Sequence, residues 1–342
     1  MTASPDSDSL RTLKAHCRCR SVEFTVTISS SKLPLSAHLC HCSICRYTHG
    51  TLCVFHAELP HDIFPQFESS IEHAKGYSFA DAKTERFFCR TCGCHIGDKG
   101  LSGEDKGQWI VATSVFAQVH TNDFILKTHV NTNSAPGGGV YEWLQEIGDR
   151  KMKSWNPEET RGVVEHSAPP PETDEHGNEV LRAKCHCGGV SFTFPRPDAV
   201  NLRVDVMGDP YLRAHVLGWT FIPLILCSPR IPTSLEFGTM IKFESSPGVT
   251  RTFCGSCGAT VFFTCKERQP SETQYVVDIA VGILRAPEGP TAKKWLTWRT
   301  GRLSWVEDGK VYDPAFIASL ERGFDQWGQN EYGHSPSFEI DG

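Results

Sequence analysis

Three cysteines stand close together in the segment Cys40-His-Cys42-Ser-Ile-Cys45. Cysteine thiolates are common zinc ligands, and zinc held by only three protein groups keeps a fourth position for water or substrate. A thiol bound at that position would be deprotonated, and the thiolate is the nucleophilic form. The spacing therefore predicts a reactive zinc centre with Cys40, Cys42 and Cys45 as both metal ligands and catalytic residues. Arg46 follows directly and could hold a carboxylate or lower a thiol pKa.

A closed structural zinc is the alternative interpretation of the same segment. Its fourth ligand would be one of the neighbouring histidines, His38, His41 or His49. A closed shell would leave no position for substrate, so this alternative predicts no chemistry.

Eight further cysteines form two sets, each built from a C-x-C pair and a C-x-x-C pair. Four thiolates brought together in this way match the tetrahedral Cys₄ ligand set of structural zinc. Buried free cysteines are the simpler alternative, but such residues have no reason to recur at these spacings. The predicted ligands are Cys17, Cys19, Cys89 and Cys92 in the first set, and Cys185, Cys187, Cys254 and Cys257 in the second.

The two sets belong to an internal repeat. The offset is 168 residues from Cys19 to Cys187 and 165 residues from Cys89 to Cys254. The flanking residues recur as well, because a Phe-Cys-x-x-Cys-Gly motif ends both sets. We interpret this pattern as a duplicated domain.

The repeat divides the chain into four parts. Residues 156–180 are rich in proline, glutamate and polar residues, which favours a linker, and the polar segment 326–342 is predicted to be a loose tail. The two units are then residues 11–155 and 181–325.

Strand patterns dominate both units. Residues 22–28 and 190–194 alternate apolar and polar side chains, and residues 109–115 and 275–281 are β-branched runs at matching places. Short helices are predicted only at 141–147 and 314–322. The fold class is therefore mainly β, with two tandem domains pinned by zinc and few short helices.

The remaining cysteines and several histidines fit none of the three sets. Cys53 and Cys94 lie near these sets in sequence and are expected to be packed, with a redox-active thiol near a metal site as the alternative for Cys94. Cys227 and Cys265 are expected to be structural. We expect the isolated histidines to lie on the surface; these are His56, His61, His73 and His120.

The composition excludes some classes of partner. The net charge is −6 without a long basic run, which argues against nucleic acid. The first ten residues have no apolar stretch that would suggest a secretory signal, and the longest apolar stretch, 216–227, is too short to span a bilayer. Close cysteine pairs are metal ligands rather than disulfides in a reducing compartment, so a cytoplasmic or nuclear protein without a membrane partner is expected.

The second unit lacks the three-cysteine segment. The positions equivalent to Cys42 and Cys45 are Pro210 and Arg213, and residues 208–219 contain no cysteine. A deleted block explains the loss, as would an error in the gene prediction. Any chemistry is therefore expected in the first unit alone.

The combination of motifs resembles a known family. Cys-x-Cys near the start, Cys-His-Cys-Ser-x-Cys-Arg, and then Phe-Cys-x-x-Cys-Gly is similar to the pattern of the glutathione-dependent formaldehyde-activating (Gfa) enzymes and the centromere-protein V group. The first unit carries the whole pattern, and the second resembles it only at the Cys₄ motif and its flanking strands. One departure is Arg20, which stands where the family usually has glycine, whereas Gly188 keeps the glycine in the second unit.

The resemblance implies a β-tent fold, shared with a zinc-containing Rab GTPase chaperone. It implies a structural zinc in each unit and a catalytic zinc at Cys40, Cys42 and Cys45, so about two zinc ions in the first domain and one in the second. The family reaction joins formaldehyde and glutathione, formally a carbon–sulfur lyase reaction run in reverse. The expected partner is a small adduct of a thiol, such as glutathione, with an aldehyde or another metabolite. A non-catalytic zinc module that docks a protein partner is the competing hypothesis.

Overall fold

The computed structural model describes most of the chain. The described residues are 9–68, 71–116, 123–157, 171–195, 204–207, 219–226, 236–268, 275–304 and 306–337. Pro210, Arg213, His120 and Cys227 lie outside them, so the expectations about these residues have no structural outcome.

The first unit is built mainly from strands. Its helices are α1 (Ser43–His49) and α2 (Val140–Trp143). Its strands are β1 (Leu10–His16), β2 (Glu23–Ser29), β3 (Leu35–Cys40), β4 (Val54–Glu58), β5 (Gln66–Phe67), β6 (Ala74–Tyr77), β7 (Thr84–Cys89), β8 (His95–Gly100), β9 (Trp109–Ala112), β10 (Phe124–Val130), β11 (Glu146–Ile147), β12 (Arg150–Lys151) and β13 (Lys153–Trp155).

The rest of the described chain adds a second group of strands and two helices near the C-terminus. The helices are α3 (Val306–Tyr312) and α4 (Pro314–Tyr332). The strands are β14 (Glu172–Thr173), β15 (Glu179–Lys184), β16 (Ser191–Pro195), β17 (Val204–Met207), β18 (Trp219–Leu226), β19 (Met240–Ser246), β20 (Val249–Cys254), β21 (Thr260–Cys265), β22 (Tyr275–Ala280) and β23 (Trp298–Ser304).

Each unit places a three-stranded sheet beside a larger one. The first unit has the sheets β1-β2-β5 and β13-β10-β3-β4-β9-β8-β7-β6. The second has β14-β15-β16 and β19-β20-β21-β22-β18-β17-β23. Both large sheets carry a register shift one residue before the Phe-Cys-x-x-Cys motif, at Phe87/Phe88 and at Thr252/Phe253. The mainly β prediction is confirmed, and the matched bulges agree with a repeat.

The large sheet of the first unit has one apolar and one polar face. Ala37, Ala57 and Val111 point into a core that also buries Phe24 and Trp109. Because side chains alternate along a strand, their neighbours point the other way. That opposite side, which we call the polar face, carries the cross-strand pairs His38–His56 and Arg86–Asp98, together with His95.

The second core is shared between the two units. Trp143 of α2 packs edge to face against Trp298 of β23, with ring centroids 5.0 Å apart. It also contacts Trp327 of α4 at 5.4 Å, and Leu39 and Leu52 join the same cluster. The boundary between the units is thus filled with buried side chains, so they support each other.

Two expectations about the helices were wrong in extent. Helix α4 begins at the predicted Pro314, capped by the Asp313 side chain, but continues past Arg322 to Tyr332. The loose tail predicted from Gln326 is therefore partly helical, because Trp327 is buried against the shared core. The helix predicted over 141–147 is a single turn, since Glu146–Ile147 pairs with Arg150–Lys151 in a hairpin.

The segment expected to be a linker contains ordered chain. Residues 171–180 include β14 and the start of β15, and Arg182 of β15 forms an ion pair with Glu172.

Among the described residues, the helices are all too short or too polar to cross a bilayer.

Candidate metal centre

The three-thiol cluster, Cys40, Cys42 and Cys45, forms where β3 meets α1. Cys40 ends the strand, Cys42 is the N-cap of the helix, and Cys45 lies in its first turn. The Cys42 sulfur accepts a hydrogen bond from the Cys45 backbone N–H at 3.3 Å, as an N-cap oxygen would. The three sulfurs lie within 4.8 Å of one another, so this local geometry converts the sequence spacing into one cluster.

The cluster is suited to a cation. Hydrogen bonds from Cys40 and Cys45 hold the pKa of Cys42 well below its usual value, despite burial. The side-chain amide of Asn131 donates to the Cys40 sulfur at 3.4 Å. In the described part of the chain, no fourth cysteine, histidine or carboxylate joins this group. Three thiolates with no fourth protein ligand fit a zinc site that keeps a position for substrate.

The three histidines that could have closed the shell have other partners. The ring nitrogens of His41 and His129 lie 3.0 Å apart, and His129 contacts the Leu144 carbonyl at 2.7 Å. Because that carbonyl can only accept, His129 donates to it through Nε2 and accepts from His41 through Nδ1. His49 stacks on His95 at 3.6 Å and contacts the Cys45 carbonyl. His38 faces His56 on the polar face.

The structure also gathers both predicted Cys₄ sets. Each set has its four sulfurs within 4.8 Å of one another. The sulfurs of Cys17 and Cys19 are 3.6 Å apart, and those of Cys185 and Cys187 are 3.5 Å apart. Thiolates placed tetrahedrally around zinc at about 2.3 Å lie about 3.8 Å apart, whereas disulfide sulfurs lie about 2.05 Å apart. Both clusters therefore fit a tetrahedral zinc, and their cysteines are free.

Backbone amides surround the sulfurs of both four-thiol clusters in matching ways. The amide of Val22 donates to Cys17, and the amide of Val190 donates to Cys185, each at 3.3 Å. These bonds form because the chain reverses direction after the C-x-C pair through a residue with a left-handed backbone. That residue is Arg20 (φ 62°) in the first unit and Gly188 (φ 76°) in the second. Arg20 thus has the same left-handed backbone conformation as Gly188, although glycine adopts this conformation more readily.

Arg46, the predicted carboxylate or thiol partner, supports the backbone instead. Its guanidinium donates to the carbonyls of His41 at 3.2 Å and Ser134 at 2.7 Å. The arginine next to the three thiols is Arg86 of β7. Burial opposes its charge, but Cys45, Asp98 and Cys42 together raise the pKa of Arg86. Arg86 was not among the residues predicted from the sequence.

Four buried polar atoms close to this cluster have no hydrogen-bond partner: His41 Nδ1, between two of the cysteines in sequence, and Arg86 Nε, Asp98 Oδ1 and His56 Nε2 on the polar face. Arg86 Nε and Asp98 Oδ2 are 3.9 Å apart, which is an ion pair longer than a hydrogen bond. Burial raises the pKa of Asp98 to about 6, although Arg86 opposes the shift. Burial also lowers the pKa of His56 well below its usual value, so that its ring is neutral. Buried groups of this kind normally have partners.

The second unit covers the polar face. His95 lies 3.2 Å from the Gly258 carbonyl, and Tyr77 lies 2.7 Å from His186. Arg285 stacks on the ring of Tyr47 from α1, with its guanidinium carbon 3.2 Å from the ring centroid. The three-thiol cluster and its polar surroundings are therefore enclosed by both units.

Most of the isolated residues have simple roles. Cys53 and Cys94 are packed, as expected, and His61 and His73 are exposed. The surface position expected for His56 is wrong, since this side chain is 3% exposed. The sequence did contain a signal for this burial. His56 lies two residues after Val54 in β4, and residues two apart in a strand face the same side.

The first unit matches a known protein family. Residues 12–133 match the family model described as glutathione-dependent formaldehyde-activating enzyme. This part of the chain resembles the Gfa family. The match includes the first four-thiol cluster and the three-thiol cluster, and leaves the second unit unmatched.

The other comparisons add little. A crystal structure of a Rhodobacter sphaeroides protein from a structural genomics programme is 23% identical, with a TM-score of 0.23. The match covers 31% of this chain and 90% of that one. No curated protein matches.

Proposed function

We propose that this protein is a zinc-dependent carbon–sulfur lyase of the Gfa type. Its substrate class is an adduct of glutathione or another thiol with an aldehyde or a small metabolite. The observation that carries the proposal is the three-thiol cluster, which has no fourth protein ligand among the described residues. The similarity of residues 12–133 to the Gfa family supports the same reaction.

The protein residues have distinct roles in this proposal. Cys40, Cys42 and Cys45 would hold the catalytic zinc, while the two four-thiol clusters would each hold a structural one. When bound, zinc at the three-thiol cluster supplies Lewis-acid stabilisation of a substrate thiolate. The enclosed polar face keeps the reacting groups away from bulk water and holds them in one orientation. Cysteines gathered as metal ligands, and not as disulfides, favour a reducing compartment such as the cytoplasm.

Metal analysis and one substitution test this function. Elemental analysis of the purified chain should find about three zinc ions, and NMR exchange spectroscopy should detect accelerated formation of S-hydroxymethylglutathione from formaldehyde and glutathione. Cys42→Ser should lose about one zinc and the turnover, while circular dichroism stays unchanged. Cys265→Ser, a cysteine outside all three clusters, is the matched control. Full turnover by Cys42→Ser would show that the cluster is not the reaction centre.

A non-catalytic zinc module is the second candidate function. The absence of cysteine from residues 208–219 favours it, because a docking module needs the structural zinc without the reactive one. It predicts no turnover by the wild-type chain, together with retention of a partner protein that depends on residues 181–325.

A further inference from the structure

Three unpartnered atoms on the polar face define a set of hydrogen-bonding positions near the three-thiol cluster. Arg86 Nε is a donor, Asp98 Oδ1 is an acceptor when ionised, and His56 Nε2 can take either part. Both Arg86 and Asp98 are less than 8% exposed, and leaving such buried groups without partners destabilises the folded chain. A molecule that both accepts and donates hydrogen bonds would complement them.

The position of this set relates it to the sulfur chemistry. Arg86 lies beside Cys45, which raises its pKa through both charge and a side-chain hydrogen bond. Arg86 also acts electrostatically on Cys42 and on His56. A group bound at Arg86 and Asp98 would therefore lie next to a sulfur held at the three-thiol cluster.

The second unit supplies an internal comparison. Arg86 pairs across the strands with Asp98, and the equivalent Arg251 pairs with Phe263. Arg251 stacks on the Phe263 ring at 4.7 Å, so an aromatic side chain replaces the carboxylate. The unit without the three-cysteine segment thus also lacks the acid at this position. The second unit buries its carboxylate one strand further on, at Asp278, which pairs across the strands with Phe263, so only the first unit places a carboxylate directly opposite this arginine.

We propose that Arg86, Asp98 and His56 bind the oxygen on the reacting carbon of the substrate, and that Asp98 takes and returns the proton of that oxygen. This inference rests on the function proposed above. A hydroxyl on the carbon attached to sulfur accepts from Arg86 and donates to Asp98, which matches the two unpartnered atoms. The substrate class is thereby narrowed to adducts with a hydroxyl on that carbon.

The step is balanced without an oxidant or reductant. In the cleavage direction, the hydroxyl proton passes to the Asp98 carboxylate, and the O–H electron pair forms the carbonyl bond. The carbon–sulfur bond breaks, and its electron pair leaves with sulfur as the thiolate. In the joining direction the thiolate attacks the aldehyde carbon, and Asp98 returns the proton to oxygen. The raised pKa of Asp98, about 6, allows both protonation states near neutral pH.

Four variants with normal zinc content test the proposal on formaldehyde and glutathione. Asp98→Asn should lower kcat/KM about a hundredfold, as expected for loss of an acid–base group. Arg86→Gln should lower it about tenfold or more. Arg251→Gln removes the equivalent buried arginine of the second unit and should change it less than twofold. Formate should restore part of the activity of Asp98→Ala, a rescue that a purely structural carboxylate would not show.

The results distinguish a failure of the oxygen-binding role from a failure of the lyase function. If the wild-type chain turns over, Cys42→Ser is inactive and both Asp98→Asn and Arg86→Gln keep activity within twofold, the oxygen-binding role is wrong and the lyase function stands. If the wild-type chain does not turn over, both proposals fail for this adduct. If Asp98→Asn does not fold, Asp98→Ala measured with and without formate takes its place; full activity of Asp98→Ala without formate would also contradict the proposal.

Discussion

Phe88 and Phe253 contact each other from equivalent positions in the two Phe-Cys-x-x-Cys-Gly motifs, with ring centroids 6.4 Å apart. The contact is reciprocal. A Cβ atom on Gly93 would lie 2.5 Å from the Phe253 ring, and one on Gly258 would lie 2.8 Å from the Phe88 ring. Each glycine thus makes room for the phenylalanine of the other motif, as in the self-complementary interface of a two-fold dimer.

Gly258→Ala should destabilise the protein by crowding Phe88 and His95. Overpacking costs about 1–3 kcal/mol, added to about 1 kcal/mol of strain because φ is +81°. Gly248→Ala is the control, since its φ is +77° but the nearest atom to the added Cβ, on Lys266, is 3.5 Å away. Urea unfolding should therefore show a larger loss for Gly258→Ala. Equal losses in two variants with equal zinc content would show that the contact between the motifs contributes little.

The sequence was sufficient to predict which cysteines come together in the three clusters. Short spacings such as Cys40-x-Cys42 place thiols together through local geometry, and repetition at a constant offset indicated which distant pairs meet. The main strands followed from alternation for the same reason, because each pattern is local. The predicted run at 109–115 corresponds to β9 followed by a single 3₁₀ turn at Thr113–Val115.

The polar surroundings of the three-thiol cluster could not be predicted in this way. His56, Arg86 and Asp98 come from three different strands, and only the register of the sheet brings two of them into a pair. Arg86 did have a signal, since Arg251 repeats it at the offset of the Cys₄ motif. The full length of α4 could not be predicted from the sequence either. Its last turns are mostly polar, and Trp327 is buried only because it packs in the shared core with Trp298 of β23.

The four-thiol and three-thiol clusters should differ in their effect on stability. Cys254→Ser should lose about one zinc and several kcal/mol of stability, because structural zinc binding is coupled to folding. Cys42→Ser should lose about one zinc with a much smaller change, because its cluster lies at the end of one helix rather than joining two distant chain segments. Thermal unfolding and elemental analysis of both variants measure the contrast. Equal destabilisation would instead favour a structural zinc at the three-thiol cluster.

Trp327→Ala should destabilise the shared core by about 3–5 kcal/mol. Trp327 is 8% exposed and contacts Trp143, Trp298 and Phe324, so the substitution leaves a cavity between α4 and the first unit. Asn330→Ala, on the exposed side of the same helix, should change the free energy of unfolding by less than about 0.5 kcal/mol. Chemical denaturation compares the two. A small effect of Trp327→Ala would mean that α4 is not needed to join the units.

Asp98→Asn should alter the pH dependence of stability. Burial raises the pKa of this carboxyl from 3.8 to about 6 in the folded chain, so the folded state holds the proton more tightly than the unfolded state. The wild-type chain therefore loses stability as pH rises from about 4 to about 6, by about 3 kcal/mol in total, and the loss is constant above that range. Asparagine does not titrate, so the variant escapes this loss.

The free energy of unfolding of Asp98→Asn, relative to wild type, should therefore rise by about 1–2 kcal/mol between pH 5 and pH 7 and then stay level. Zinc release at low pH affects both proteins alike, because they share every thiol ligand. Its contribution therefore cancels when the free energy of unfolding of the wild type is subtracted from that of the variant. Asp62→Asn is a suitable control, since the exposed Asp62 has its pKa lowered by Lys32 and should show no gain in this range. A pH-independent difference for Asp98→Asn would mean that Asp98 stays ionised throughout, as Arg86 favours, and would remove its ability to return a proton near neutral pH.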